Sequence, residues 1–266
     1  MPTPPLSQHF LHDARIAARI ADALEAPPGA RVLEIGPGRG ALTRHLVGRG
    51  WSVTAVELDR RLADRLEQEL GAREDLTVVQ GDALEVPLPR GSGPWWVIGN
   101  LPYAITSPLL FRFLGEVTAA PVAAMVFMVQ KEVAERIAAR PGTKAYGALT
   151  VGVALVADAE VLFEIGPGSF RPPPRVRSAV VRIVPHARWR LGAARRARVE
   201  RLVRRLFGQR RKQLQKGLRT LAPWNLDSAA AARVGERAGI DLARRPETLG
   251  PEEWLRLDAA LAREEI

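Results

Sequence analysis

Between about residue 31 and residue 184, short apolar runs alternate with segments whose apolar residues recur at three- and four-residue steps. The runs RVLEI, SVTAVEL, LTVVQ, WWVIGN, AAMVFMV, AEVLFEI and SAVVRIV are rich in Val, Ile and Ala and predict strands. Between them, IAARIADAL precedes the first, and ALTRHLVGRG, RRLADRLEQEL, SPLLFRFL and EVAERIAA follow in turn with helical periodicity. Near-continuous apolar strands are covered on both faces, so the alternation predicts a doubly wound α/β domain around a parallel sheet.

After VRIVPHARW the strand pattern stops. RARVERLVRRLFGQRRKQLQKGLRTL sets Val199, Leu202, Val203, Leu206, Leu214, Leu218 and Leu221 at roughly helical spacing among arginines. SAAAARVGERAGI and GPEEWLRLDAALAREE also read as helices, separated by a stretch punctuated by Pro246, Gly250 and Pro251. The expected organisation is therefore a catalytic domain over residues 1–188 and a small helical domain over 189–266.

The chain has 266 residues, 47% of them hydrophobic and 26% charged, which is globular composition. No apolar run approaches the roughly 20 residues of a membrane span, and the amino terminus lacks the pattern of a secretory signal, so the expectation is a cytoplasmic protein. Without cysteine there is no thiolate metal site, and the four histidines are scattered, so no metal is expected. No feature demands a dimer, and a monomer is expected.

The net charge of +10 is local. Residues 188–219 hold thirteen basic side chains against the single acid Glu200, while the remainder of the chain is slightly acidic. A basic helix is often only a solvated face, but this one accompanies candidate nucleic-acid chemistry upstream. Phosphate contact by Arg204, Arg205, Arg210, Arg211, Lys212 and Lys216 is the expectation, with a steep salt dependence.

Candidate chemistry begins where the first strand ends. E34-I-G-P-G-R-G places Gly36 and Gly38 where a tight turn lets the backbone approach a ligand before a helix starts. A dinucleotide site has the same signature. About twenty residues on, Glu57 closes the second strand, suitable for accepting both hydroxyls of a ribose. Asp82, in VVQGDAL, ends the third and can accept a hydrogen bond from an adenine amino group. Together they form one adenosine-binding edge. EIGPG recurs at 164–168, but that copy runs into SFRPPPRV, whose prolines forbid a helix, so only the first is expected to be a cofactor loop.

The fourth strand ends in N100-L-P-Y. An aromatic amino nitrogen is a poor nucleophile because its lone pair is delocalised into the purine. The Asn100 side-chain oxygen and a backbone carbonyl at Leu101 or Pro102 could hold its two hydrogens and direct the lone pair toward a methyl donor. Tyr103 is placed to stack on the extruded base, and Phe170 is the candidate for its other face. A buried core aromatic is the competing reading for Phe170.

The order of glycine loop, Glu57 and Asp82 resembles the class I S-adenosylmethionine methyltransferases, with their Rossmann-like sheet. With LSQHFLHD, GNLPYAITSPLLF, MVQKEVAERIAARPGTKAYGALTV, SFRPPPRVRSAVVRI and LFGQRRKQLQKGL added, nearly the whole chain resembles the small-subunit (16S) ribosomal RNA adenine N6,N6-dimethyltransferases. The resemblance implies S-adenosylmethionine as cofactor and the small ribosomal subunit and its rRNA as partner. It also implies that His9 and Leu11 join Gly36, Glu57, Asp82 and Asn100 around the cofactor, and that two adjacent adenines are dimethylated during ribosome maturation. MPTPPL stands where many members carry a basic stretch, Ser7 where Gly is commoner, and Ala104 where a larger residue is usual.

Two rivals share most of these features. The large-subunit adenine methyltransferases of macrolide resistance have the same cofactor motifs, but MVQKEVAERI, KAYGALTV and FGQRRKQLQKGL favour the small-subunit group. A non-catalytic ribosome assembly factor would explain the basic tail but not Glu57, Asp82 and NLPY together. An NAD dehydrogenase leaves NLPY unexplained.

Overall fold

The computed structural model describes residues 9–87, 93–101, 105–115, 121–186, 188–189 and 191–264. It divides into two compact units, Met1–Glu135 with Ala157–Pro185, and Arg136–Val156 with His186–Ile266.

In the first unit the strands are β1 (Phe10–Leu11), β2 (Arg31–Ile35), β3 (Ser52–Glu57), β4 (Leu76–Gln80), β5 (Trp95–Asn100), β6 (Val122–Gln130), β7 (Ala157–Ile165), β8 (Phe170–Arg171) and β9 (Ser178–Pro185). Its helices are α1 (Ala14–Asp22), α2 (Thr43–Leu46), α3 (Arg60–Leu70) and α4 (Thr106–Leu114), and the division between units falls within α5 (Lys131–Ile137). All seven apolar runs become strands of one sheet, in the order β4-β3-β2-β5-β6-β9-β7. β2 to β6 are parallel, and β9 runs antiparallel between β6 and β7.

Burial follows the order. β2 and β6, in the middle, are buried at almost every position, whereas the edge strand β4 has none fully covered. The strand order reverses between β2 and β5, and such a switch opens a crevice at the carboxyl ends of parallel strands.

Two departures from the sequence reading have local causes. The helix expected over 41–50 shrinks to α2, because Val47 is already extended and Gly48 and Gly50 follow at positive φ, a path no helix continues through. α1 starts two residues early because Asp13 accepts from the Arg15 and Ile16 amides and caps it. β1 and β8, two residues each, pair antiparallel with Phe10 opposite Arg171 and Leu11 opposite Phe170; neither carries a periodicity to read.

The second unit holds α6 (Ala148–Ala154), α7 (Ala193–Phe207), α8 (Leu214–Thr220), α9 (Ser228–Ala238) and α10 (Pro251–Leu261). Val199, Leu202, Val203, Leu206, Leu214 and Leu218 are all buried, as their spacing predicts, around the fully enclosed Trp254. The expected boundary at 188 lies beside the break at Pro185, yet residues 136–156 also belong to the helical unit. The reason is packing: Tyr146, Val151 and Leu155 sit in the same apolar cluster as α7 and α10, and the Tyr146 hydroxyl donates to the Leu249 carbonyl at 2.6 Å.

Candidate active site at the carboxyl ends of the parallel strands

The glycine loop leaves β2 with Gly36 at φ +64° and Gly38 at φ +57°, the left-handed region that disfavours a side chain. Space is tight as well at Gly38, where an added Cβ would lie 3.2 Å from the Phe10 ring, so that ring would have to shift by a few tenths of an ångström. A Cβ on Gly36 would stand 3.9 Å from the Asn100 carbonyl oxygen, so the loop and the end of β5 are neighbours. The second EIGPG has a different conformation: its glycines avoid positive φ, and Pro167–Ser169 forms a 3-10 turn leading into β8.

Glu57 ends β3 and is buried. One carboxylate oxygen accepts from the Gly38 amide at 2.9 Å and the other from the Asp59 amide at 3.0 Å. The acid therefore fixes the glycine loop from the neighbouring strand. A carboxylate has about four acceptor positions, so these two bonds leave capacity for a ligand.

Asp82 follows β4 at the head of a closed turn. Its side chain accepts from the Leu84 amide at 2.8 Å, and its carbonyl from the amides of Glu85 (2.9 Å) and Val86 (2.8 Å). Arg112, from the last turn of α4, donates to the Ala83 and Val86 carbonyls of that turn. Partial burial lowers the Arg112 pKa, and the Asp82 charge opposes the fall.

Asn100 closes β5. Its side-chain amide donates to the His9 carbonyl at 3.2 Å, and His9 Nδ1 lies 2.8 Å from the Pro172 carbonyl. The amino-terminal segment is thus tied at once to the acceptor strand and to the proline loop. Leu101 is buried, and its amide donates to the Met128 carbonyl at 3.0 Å. Pro102 and Tyr103 lie outside the described residues.

Leu11 is buried in the core cluster with Phe170, opposite it in the β1–β8 pair. Phe170 is 3% exposed, packed into that cluster. The cluster also takes in buried residues of α1, β2 and α2, and burial of an aromatic there is favoured over leaving it in water.

Glu34, one turn below the loop on β2, was not singled out by its sequence. It is 1% exposed, and burial pushes its carboxyl up to about 8, with the Glu57 charge adding to the rise. Neither carboxyl oxygen nor the Thr43 hydroxyl has an acceptable hydrogen bond, although Thr43 is close enough to oppose part of the rise.

In the second unit Arg204, Arg205, Arg211, Lys212 and Lys216 are exposed. Arg210 has a different occupation. Its guanidinium donates to Glu247 at 2.7 Å and to the Lys144 and Thr143 carbonyls at 2.9 and 3.1 Å. Every nitrogen is thereby used within the unit, and Arg210 is withdrawn from the phosphate-contact set. Arg195 and Arg198 are likewise drawn to the buried Asp258.

Residues 3–257 match the protein family described as ribosomal RNA adenine dimethylase. The chain belongs to that family. Among relatives of the dimethylase family, the ribosomal RNA small subunit methyltransferase A of Pseudomonas fluorescens (strain Pf-5) is 44% identical over 96% of this chain and 92% of the relative. The protein of the same name from Acinetobacter baylyi is 43% identical over 91% of this chain and 86% of its own. Of solved structures, a dimethyladenosine transferase from Plasmodium falciparum superposes with TM-score 0.81 at 26% identity, covering 94% of this chain and 96% of that one. The 23S rRNA methyltransferase ErmE superposes with TM-score 0.72 at 32% identity, covering 96% and 100%. The sheet with its inserted antiparallel β9 is the Rossmann-like fold of the S-adenosylmethionine methyltransferases that these neighbours represent.

Proposed function

We propose that this chain transfers methyl groups from S-adenosylmethionine to N6 of two adjacent adenines in small-subunit (16S) ribosomal RNA, giving N6,N6-dimethyladenosine during ribosome maturation. The observation that carries the reading is Asn100 at the end of β5, facing a glycine loop and a ribose-ready carboxylate in a chain of the dimethylase family. The small ribosomal subunit is then the partner and the cytoplasm the compartment; among the described residues no helix is long and apolar enough to cross a membrane.

The residues fit the cofactor. Positive φ at Gly36 and Gly38 leaves bare backbone on the crevice, and Glu57 keeps unused acceptor positions there. Gly36 and Gly38 would pass the methionine portion, Glu57 would take the ribose hydroxyls and Asp82 the adenine amino group, with His9 and Leu11 in the segment beside them. When bound, S-adenosylmethionine supplies an electrophilic methyl group.

The protein's share is positioning. The Asn100 NH2 donates to the His9 carbonyl, and its side-chain oxygen is the atom that would accept from the substrate. That oxygen and the Leu101 carbonyl hold the two N6 hydrogens, so the nitrogen lone pair turns out of the purine plane. Tyr103 stacks on the base. A methyl donor bound there would meet that lone pair, and the methylated ammonium so formed would lose its proton to water. No strong general base is needed, since that ammonium is acidic.

Transfer of labelled methyl to purified ribosomal subunits lacking adenine dimethylation tests the reading. Incorporation into the small subunit as dimethyladenosine, abolished by Asn100→Ala, is the expected result. Incorporation into the large subunit alone would make this a resistance-type enzyme; none into either, with cofactor bound, would leave an assembly factor. Relatives at 44% identity named for the small subunit, against 32% for ErmE, favour the first outcome.

A further inference from the structure

The turn carrying Asp82 has a support that its own sequence does not contain. Residues 82–86 close on themselves through the Asp82 carbonyl and carboxylate, and the turn packs so tightly that a Cβ on Gly81 would meet the Val86 side chain at 2.5 Å. The turn's own outward carbonyls, Ala83 and Val86, are both taken by one side chain, Arg112. A planar guanidinium can span two carbonyls three residues apart with its two terminal nitrogens; an ammonium, being a point donor, cannot. Arg112 belongs to α4, the helix that follows the Asn100 loop in the chain, so the clamp joins the acceptor side of the crevice to the adenine side.

We propose that Arg112 is the positioning residue for Asp82. Its grip on Ala83 and Val86 fixes the turn that presents the Asp82 carboxylate to the 6-amino group of the cofactor's adenine, and so sets the base selectivity of the adenosyl subsite. This rests on the assignment of Asp82 to that amino group. A merely structural role, holding α4 to the sheet, would affect every cofactor analogue alike. A positioning role affects only ligands that donate to Asp82.

Calorimetric titration with S-adenosylhomocysteine and with S-inosylhomocysteine separates the two, because the latter carries a 6-oxo group with no hydrogen to give. A hydrogen bond to a charged acceptor corresponds to a preference of about tenfold or more for the adenosyl ligand in the unaltered protein. Arg112→Met is expected to weaken S-adenosylhomocysteine about tenfold and leave S-inosylhomocysteine within about twofold, erasing the preference. Arg112→Lys should shift the two ligands in the same unequal way to a smaller extent, and carries the test if the Met variant does not fold. Equal weakening of both ligands, or an unchanged preference, overturns the proposal. Asp82→Ala locates the fault: if it erases the preference while Arg112→Met keeps it, Arg112 alone is wrong; if it too keeps the preference, the assignment of Asp82 falls with it.

Discussion

Asn100 illustrates how much chemistry one side chain carries when its neighbours fix it. Removing its oxygen removes one of two acceptors for the reacting amino group, and losses of this kind cost about 100- to 1,000-fold in kcat. Asn100→Ala should therefore lower kcat by about that factor, in single-turnover methyl transfer to small subunits, while S-adenosylhomocysteine still binds. Glu34 gives a prediction of a different kind. Its ordinary carboxyl value is 4.5 and its folded value about 8, so the folded chain binds this proton more tightly than the unfolded chain does. Stability from this site is thus greatest below the unfolded value, declines as pH rises through the interval, and levels off above the folded value. Glu34→Gln, which mimics the protonated acid, should match the parent near pH 4.5 and exceed it progressively toward pH 8. The gain is bounded at about 5 kcal/mol, read as a growing difference in denaturation midpoint. Glu34 was invisible as a special residue because nothing in RVLEI announces that one of its five positions buries an acid without a partner.

At the scale of elements, the two copies of EIGPG show what local sequence decides and what it leaves to context. The first is followed by residues that can enter a helix, the second by prolines that cannot, and that difference was readable. Beyond its positive φ, Gly38 meets something distant: Phe10, on a two-residue strand without periodicity, crowds the space a Cβ would need. Gly38→Ala should then lose cofactor affinity by tenfold or more in calorimetry and cost about 1–2 kcal/mol of stability from the left-handed backbone. The equivalent change at Gly168, which has open space and ordinary φ, should leave both nearly unchanged. The seven strands were legible because apolar runs of five or more residues, bounded by turns, have few other places to go. Phe170 carried two readings in the sequence, because an aromatic beside a proline loop looks the same whether its ring turns inward or outward, and its ring is packed inward.

For the whole molecule, the charge count overstates the surface offered to RNA. Arg195, Arg198 and Arg210 spend their guanidinium groups on Asp258, Glu247 and backbone carbonyls, leaving the exposed Arg205, Arg211 and Lys212 as better candidates. Each Arg or Lys to Ala change in that trio should reduce the slope of log affinity against log salt by about 0.7–0.9, measured by filter binding. Arg210→Ala should leave that slope alone and lower thermal stability instead, since Glu247 and two carbonyls lose their donor. The boundary read at 188 missed residues 136–156 because linear composition cannot show that Tyr146, Val151 and Leu155 belong with helices some fifty residues later. A fragment ending at 188 should accordingly expose these side chains and bind a hydrophobic dye that the full chain does not.

The bond between His9 and Pro172 spans 163 positions, and β1 finds its strand partner at Phe170–Arg171. During synthesis, residues 9–11 therefore leave the ribosome long before anything exists for them to pair with. Asn100 waits equally for the carbonyl of His9 to be held in place. The acceptor site is assembled from the first and the late parts of the catalytic unit, so its geometry is a product of long-range closure rather than of any nascent segment. A chain interrupted before β8 would have most of the sheet in place and no finished site, which makes methyl transfer a property that the nascent protein acquires late and all at once.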